Sequence, residues 1–113
     1  MGAIAAPILP GKLDTWKKWA EELKGPRSEE FRDHNSRLGL TRHRAWLQET
    51  PDGGHLVIVV HDGPGADEFV AKLGQSDHPF DVWFRERVEE AHGLDLSEPP
   101  EGPPAELWID GSG

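Results

Sequence analysis

The strongest constraint on the fold is the stretch LTRHRAWLQETPDGGHLVIVVHD, residues 40–62. Two runs of strand-forming residues, 40–49 and 55–61, flank a PDGG sequence whose proline and glycines favour a chain reversal. This arrangement predicts a β-hairpin. With Thr50 facing His55, the cross-strand neighbours are Gln48 and Val57, Trp46 and Val59, and Arg44 and His61.

That register gives the hairpin two unlike faces, because successive side chains in a strand point to opposite sides. One face is apolar and suited to packing on helices, with Ala45, Leu47, Leu56, Ile58 and Val60. The other face is mixed, with Arg42, Arg44, Trp46, Gln48, Val57, Val59 and His61. An exposed face of this kind is typical of an interface. A symmetric dimer would cover it and leave a cavity lined by its polar members.

The remaining sequence alternates strand and helix signals. A short apolar run at 4–9 predicts a first strand, and apolar residues at helical spacing from Leu13 to Leu23 predict the first helix. Further helices are expected over 28–39, around Phe69 to Leu73, and from Pro79 to Gly93, where proline favours a helix start and glycine a helix end. The proline-rich segment 95–104 reads as a connector, and AELWID, residues 105–110, as a last strand.

This order predicts a single α+β domain over residues 1–113, with a ferredoxin-like βαββαβ arrangement and a four-stranded antiparallel sheet. In element order, and in the segments PILPGK, WLQETPDGG…VIVVHD and SDHPFDVWFRERVEEAHG, the chain resembles the dimeric α+β-barrel superfamily. That superfamily includes antibiotic-biosynthesis monooxygenases, haem-degrading monooxygenases, stress-response barrel proteins and polyketide cyclases. The resemblance implies a homodimer with a small-molecule cavity, and none of the haem-degrading branch's catalytic residues is carried over.

Charge and cysteine content narrow the range of functions. Twelve Lys and Arg against 21 Asp and Glu give a formal charge of −9, which disfavours binding to nucleic acid or to an anionic membrane surface. Without cysteine, no disulfide or thiolate metal site is available. The opening MGAIAAPILPG lacks a basic start and is too short to span a bilayer, so a cytoplasmic protein is expected.

The best candidate for chemistry is His61 with Arg44 opposite it, joined by Arg42 and Gln48. A cavity histidine exchanges protons, and an arginine holds an oxyanion, enolate or carboxylate. The alternative is a structural pair at a dimer interface. A second pair is His43 with Asp62, in which the carboxylate would orient the imidazole; the alternative there is a local salt bridge at a strand end.

Apart from His61 and Arg44, the expected ligand-binding residues are the other five members of the mixed face together with His43 and Trp83: Arg42, Trp46, Gln48, Val57, Val59, His43 and Trp83. For Trp83, ordinary packing is favoured over stacking on a ligand, and for Asp81 a favourable charge at a helix N-terminus is favoured over a role as an acid. No metal or cofactor is expected, since no helix has His-x-x-x-His spacing. His55 and His61, on one strand, stand about 20 Å apart.

Three functions fit these residues. The first is a cofactor-independent monooxygenase or cyclase acting on a small aromatic or polyketide-like molecule, with His61 and Arg44 handling the proton and the developing anion. The second is a non-catalytic binding or stress-associated module that holds a small apolar or aromatic ligand in the same cavity. The third is a structural homodimer with no cavity. The sequence leaves open whether the protein is an enzyme.

Overall fold

A computed structural model describes residues 2–98 and 105–111 of the chain. The strands are β1 (Gly2–Pro7), β2 (Arg42–Glu49) and β3 (His55–Asp62). The helices are α1 (Leu13–Lys24), α2 (Ser28–Arg37), α3 (Phe69–Gln75) and α4 (Pro79–His92), with a 3-10 turn at Ala66–Glu68 before α3. The three strands form one antiparallel sheet in the order β1-β3-β2, so the α+β class is confirmed.

The predicted four-stranded ferredoxin-like sheet is wrong, because segment 105–110 forms no strand. Its apolar residues Leu107, Trp108 and Ile109 are 68%, 84% and 85% exposed. Strand-forming residues produce a strand only where another strand supplies hydrogen bonds, and no described residue pairs with this segment. A barrel built from two four-stranded sheets is excluded with it. Residues 99–104 of the predicted connector lie outside the described part of the chain.

The predicted hairpin is present, but its register is shifted by one residue. Arg44 faces Val60, and His61 faces His43. The cause is the loop, which runs over residues 50–54: Thr50 donates its N–H to the Gly54 carbonyl at 2.9 Å and accepts from Gly53 at 3.0 Å. One extra loop residue turns every side chain of β3 to the opposite face.

The sheet therefore has an inner face towards the helices and an outer face without helices. The inner face carries Ile4, Ala6, His43, Ala45, Val57, Val59 and His61. The outer face carries Ala3, Ala5, Arg42, Arg44, Trp46, Gln48, Leu56, Ile58, Val60 and Asp62. Trp46 and Ile58 on the outer face are 47% and 36% exposed.

The core lies between the inner face and the helices. Its buried members are Trp19, Leu38, Leu40, Ala66, Phe69, Leu73, Phe80 and Phe84. Trp19 and Phe84 join α1 to α4 through an edge-to-face contact with ring centroids 4.9 Å apart. The predicted stripes of α1, α3 and α4 thus supply the core. Within the described residues no helix is long and apolar enough to cross a membrane.

Gly74 allows the segment after α4 to pack closely against α3. It stands inside α3, which continues to Gln75, and a Cβ there would overlap the Leu96 carbonyl oxygen. The missing side chain therefore lets segment 94–97 pack directly on α3. Leu94 and Leu96 reach the space between the helices and the sheet from this position.

Candidate functional site

A cavity of about 510 Å³ lies between the inner face of the sheet and the helices. Its strand side is formed by Ile4, Ala6, His43, Ala45, Val57, Val59 and His61. Its helix side includes Trp16, Trp19, Phe31, Phe69, Phe84, Val88 and His92, with Lys17, Glu21 and Lys24 of α1 also on the boundary. A largely apolar space of this size is within the range of small-molecule sites.

Two histidines bring polar atoms to the strand side of the cavity. His43 and His61 are opposite each other on β2 and β3, with ring centroids 4.5 Å apart and an interplanar angle of 82°. Phe69 contacts both rings, at centroid distances of 5.5 and 4.4 Å. The pair is thus held by the sheet register on one side and by an α3 side chain on the other.

Both imidazoles are neutral at physiological pH. Burial lowers the pKa of His43 to about 3, with smaller contributions from His61 and His34. Burial likewise lowers the pKa of His61 to about 4, with a further contribution from His34 and partial opposition from Asp62. The cavity therefore presents hydrogen-bonding atoms without a positive charge on these two rings.

The hydrogen bonds of the two rings differ. His43 Nδ1 lies 3.0 Å from Asn35 Oδ1, and since an amide oxygen only accepts, Nδ1 carries the hydrogen and Nε2 is an acceptor. His61 is only 3% exposed, and no described residue hydrogen-bonds either of its ring nitrogens. Neither nitrogen is among the fully buried unpaired atoms, so a group that enters the cavity can reach them.

A third histidine of the cavity is already occupied. His92, at the end of α4, has its Nδ1 2.8 Å from the Pro7 carbonyl oxygen, to which it donates. Burial lowers its pKa, partly offset by this bond. His92 therefore joins α4 to β1 and serves mainly to hold the cavity's walls together.

Asp81 is completely buried at the first turn of α4 and accepts four hydrogen bonds from three side chains. It accepts from His34 Nδ1 at 2.6 Å, from two nitrogens of Arg37 at 2.9 Å each, and from the Ser76 hydroxyl at 2.5 Å. Burial alone would raise the pKa of Asp81, but these bonds outweigh it and hold the pKa well below its usual range. Asp81 therefore ties α2 to α4.

His34 is neutral in this network. Burial lowers its pKa despite the Asp81 carboxylate, and Nε2 has no hydrogen-bond partner among the described residues. The ring packs against Phe84 and Phe80 at centroid distances of 4.7 and 5.2 Å. His34 does not line the cavity, so its role is to connect the helices.

The predicted pairing of His61 with Arg44 is wrong, because the two side chains lie on opposite faces. Arg44 is on the outer face, 3.3 Å from Asp62 Oδ2, and its guanidinium carbon lies 5.2 Å from the Trp46 ring centroid. The predicted pairing of His43 with Asp62 fails for the same reason. Asp62 bonds Arg44, whereas His43 bonds Asn35 from the inner face.

The predicted ligand-binding residues are divided by the sheet. Val57, Val59, His43 and His61 line the cavity. Arg42, Trp46 and Gln48 lie on the outer face and do not reach it. Trp83 is also outside, on α4, where the Arg27 guanidinium carbon lies 4.0 Å from its ring centroid.

Asn35 and Asp81 were missed as functional neighbours. An acidic residue after Pro79 resembles an ordinary charge at a helix start, and nothing in the local sequence marks it as buried. For Asn35, a signal was available: it lies on the polar helix directly before β2, whose first residues include His43.

The described residues contain no group of three or more His, Asp or Glu side chains able to hold a metal ion. Comparison with protein-family models, with curated proteins and with solved structures found no match to this chain. The function is therefore inferred from the geometry of the cavity.

Proposed function

We propose that the protein binds a small, largely apolar molecule in the cavity between the sheet and the helices. The observation that carries this proposal is His61, a buried imidazole without a hydrogen-bond partner among the described residues, placed on the wall of an apolar cavity. A ligand with one polar group satisfies the imidazole, and its apolar body fills the remaining space.

The rest of the lining agrees with an aromatic ligand. Trp16, Trp19, Phe31 and Phe84 offer ring edges and faces on the helix side, and Val57 and Val59 offer a flat aliphatic wall on the strand side. The neutral state of His43 and His61 keeps this end of the cavity uncharged. A molecule of two or three fused or linked rings suits both the volume and the lining.

The test is fluorescence titration with N-phenyl-1-naphthylamine, a neutral two-part aromatic probe whose emission rises in apolar surroundings. Saturable binding of one probe per chain is expected. Val59→Phe, which places a bulky ring on the wall of the cavity, should weaken binding, whereas Val60→Phe, one residue along on the outer face, should leave it unchanged. Circular dichroism checks that both variants fold. Equal binding by both variants, or no saturable binding to the parent protein, would refute the proposal.

We also propose that the outer face pairs with the same face of a second copy, giving a homodimer. Trp46 and Ile58 form the centre of this uncovered apolar surface. The face carries two arginines and one aspartate, whereas the chain as a whole has a formal charge of −9. Electrostatic repulsion between two copies is therefore weak where these faces meet.

Analytical ultracentrifugation at micromolar concentration tests the dimer. Trp46→Glu should convert it to monomer, because a carboxylate would be buried without a partner. Leu47→Glu is the matched control: Leu47 is 39% exposed, follows Trp46 directly and belongs to the opposite face. A monomeric parent protein at every concentration would contradict this proposal.

Proton transfer in the same cavity is a second candidate function, as in a cofactor-independent oxygenase or cyclase. It is favoured by the position of the unprotonated His61 ring on the cavity wall, where it can accept a proton from a bound molecule, and a pKa of about 4 makes this ring a weak base. Among the described residues, no arginine lines the cavity to hold an anion. Deuterium exchange at the α-carbon of 2-tetralone, followed by NMR, tests the step; a rate equal in the parent protein and in His61→Phe would refute it.

A further inference from the structure

We propose that the polar group of the ligand is an uncharged hydroxyl, which donates to His43 Nε2 and accepts from His61. This inference rests on the proposed binding function and specifies the class of ligand: a phenol or an alcohol on an apolar, aromatic body. It follows from the hydrogen-bonding state of the two rings.

The hydrogen bond to Asn35 determines which nitrogen of His43 is the acceptor. Because Asn35 Oδ1 takes the hydrogen of His43 Nδ1, the other nitrogen of that ring has a lone pair and no hydrogen. A neutral His43 can therefore bind only a donor at Nε2. A ligand that offers only acceptors, such as a ketone or an ether, finds no partner on this ring.

His61 supplies the complementary atom. A neutral imidazole has one N–H donor and one acceptor, and no described residue uses either nitrogen of His61. With ring centroids 4.5 Å apart, the two rings are close enough for one ligand oxygen to interact with both. A hydroxyl donates one hydrogen bond and accepts another, so it matches this pair with a single atom.

The surroundings of the two rings disfavour charged groups at this position, and the charged side chains that also line the cavity, Lys17, Glu21 and Lys24, belong to α1 on the helix side. Phe69 packs on both rings, and Val57 and Val59 lie beside them on the inner face. Ionised carboxylates and amines lose much hydration in such surroundings and would need an oppositely charged partner. His43 and His61 remain neutral, so neither provides one.

The experiment is displacement of N-phenyl-1-naphthylamine at pH 7.5 by four compounds of similar shape: 2-naphthol, 2-methylnaphthalene, 2-naphthoate and 2-naphthylmethylamine. We expect 2-naphthol to bind about tenfold more tightly than 2-methylnaphthalene, as for one well-made hydrogen bond. The two ionised compounds should be the weakest.

Variants identify the groups responsible. His43→Phe should abolish the preference for 2-naphthol over 2-methylnaphthalene, whereas His55→Phe should keep it, because His55 is on the same strand as His61 but does not line the cavity. If 2-methylnaphthalene binds as well as 2-naphthol, the hydroxyl inference is overturned while the cavity's binding function stands. If neither compound nor the fluorescent probe binds, the binding function fails as well.

Discussion

His61 faces His43 across β2 and β3, with the two rings edge to face at 4.5 Å. This relationship moves the candidate chemistry from the outer face of the sheet to the partly open cavity between the sheet and the helices. It also separates His61 from Arg44, which lies opposite Val60 on the other side of the sheet. The histidines are therefore surrounded by apolar side chains, and hydrogen bonding to an uncharged ligand suits them better than binding an anion.

Stability should fall as the pH is lowered below the ordinary histidine range. The pKa of His61 is lowered from 6.5 to about 4 and that of His43 to about 3, so the unfolded chain binds protons that the folded chain does not. Above pH 6.5 the histidines are largely neutral in both states and protonation takes little from the stability of the fold. As the pH falls from 6.5 towards these pKa values, protonation of the unfolded chain lowers the stability. For His61, the free energy of unfolding should decrease by about 2 kcal/mol between pH 7.5 and pH 5.

Urea unfolding at several pH values measures this dependence. His61→Phe should flatten it, because one of the groups that takes up a proton on unfolding is gone. Asp62 and His34 also affect the pKa of His61. Asp81 changes the stability only at lower pH, because its pKa is depressed from an already acidic value. A stability independent of pH from 7.5 to 5 would contradict the burial of neutral histidines.

Asp81→Asn should destabilise the protein by about 3 kcal/mol, because it removes the charge that Arg37 and His34 share in a buried site. Asp33→Asn is the matched control. It removes the other carboxylate on Arg37, at 2.7 Å but exposed, and should cost less than about 1 kcal/mol. Thermal unfolding of both variants measures the difference, and equal losses would show that the Asp81 network contributes little.

Gly74→Ala should weaken both folding and ligand binding. The added methyl group meets the Leu96 carbonyl, so segment 94–97 must move away from α3 and take Leu94 and Leu96 from the cavity wall. A loss of about 1–3 kcal/mol in stability is expected from such overpacking. Gly111→Ala, where a Cβ meets nothing within 4 Å, should have no effect. Unchanged probe affinity in Gly74→Ala would show that the segment does not form part of the site.

The sequence was sufficient to predict the helices and the hairpin, since their signals are local. Pro79 and Gly93 mark the two ends of α4, and Gly93 takes the left-handed conformation expected of a helix end, with φ 71°. The first strand was also predicted, although it runs over Gly2–Pro7 and not over 4–9.

The face of β3 could not be predicted, because residues 56–60 are all apolar and give no alternation to show which side is buried. The register then depended on whether Thr50 belongs to the strand or to the loop. Backbone hydrogen bonds place it in the loop, and the Asp52 side chain supports the turn by accepting from the Gly54 N–H. Once β3 is turned over, His61 changes sides, and the expected partners change with it. The prediction of a fourth strand over 105–110 was wrong for a different reason, because the composition of that segment does not show whether another strand is available to pair with it.

The most direct test of the cavity is NMR with intermolecular NOEs from 2-naphthol to the labelled protein. We predict NOEs to the Val59 methyl groups and to the His61 ring, and none to Val60 or Trp46 on the outer face. NOEs to Val60 and Trp46 alone, or none to the protein at saturating concentrations of 2-naphthol, would contradict a binding site between the sheet and the helices.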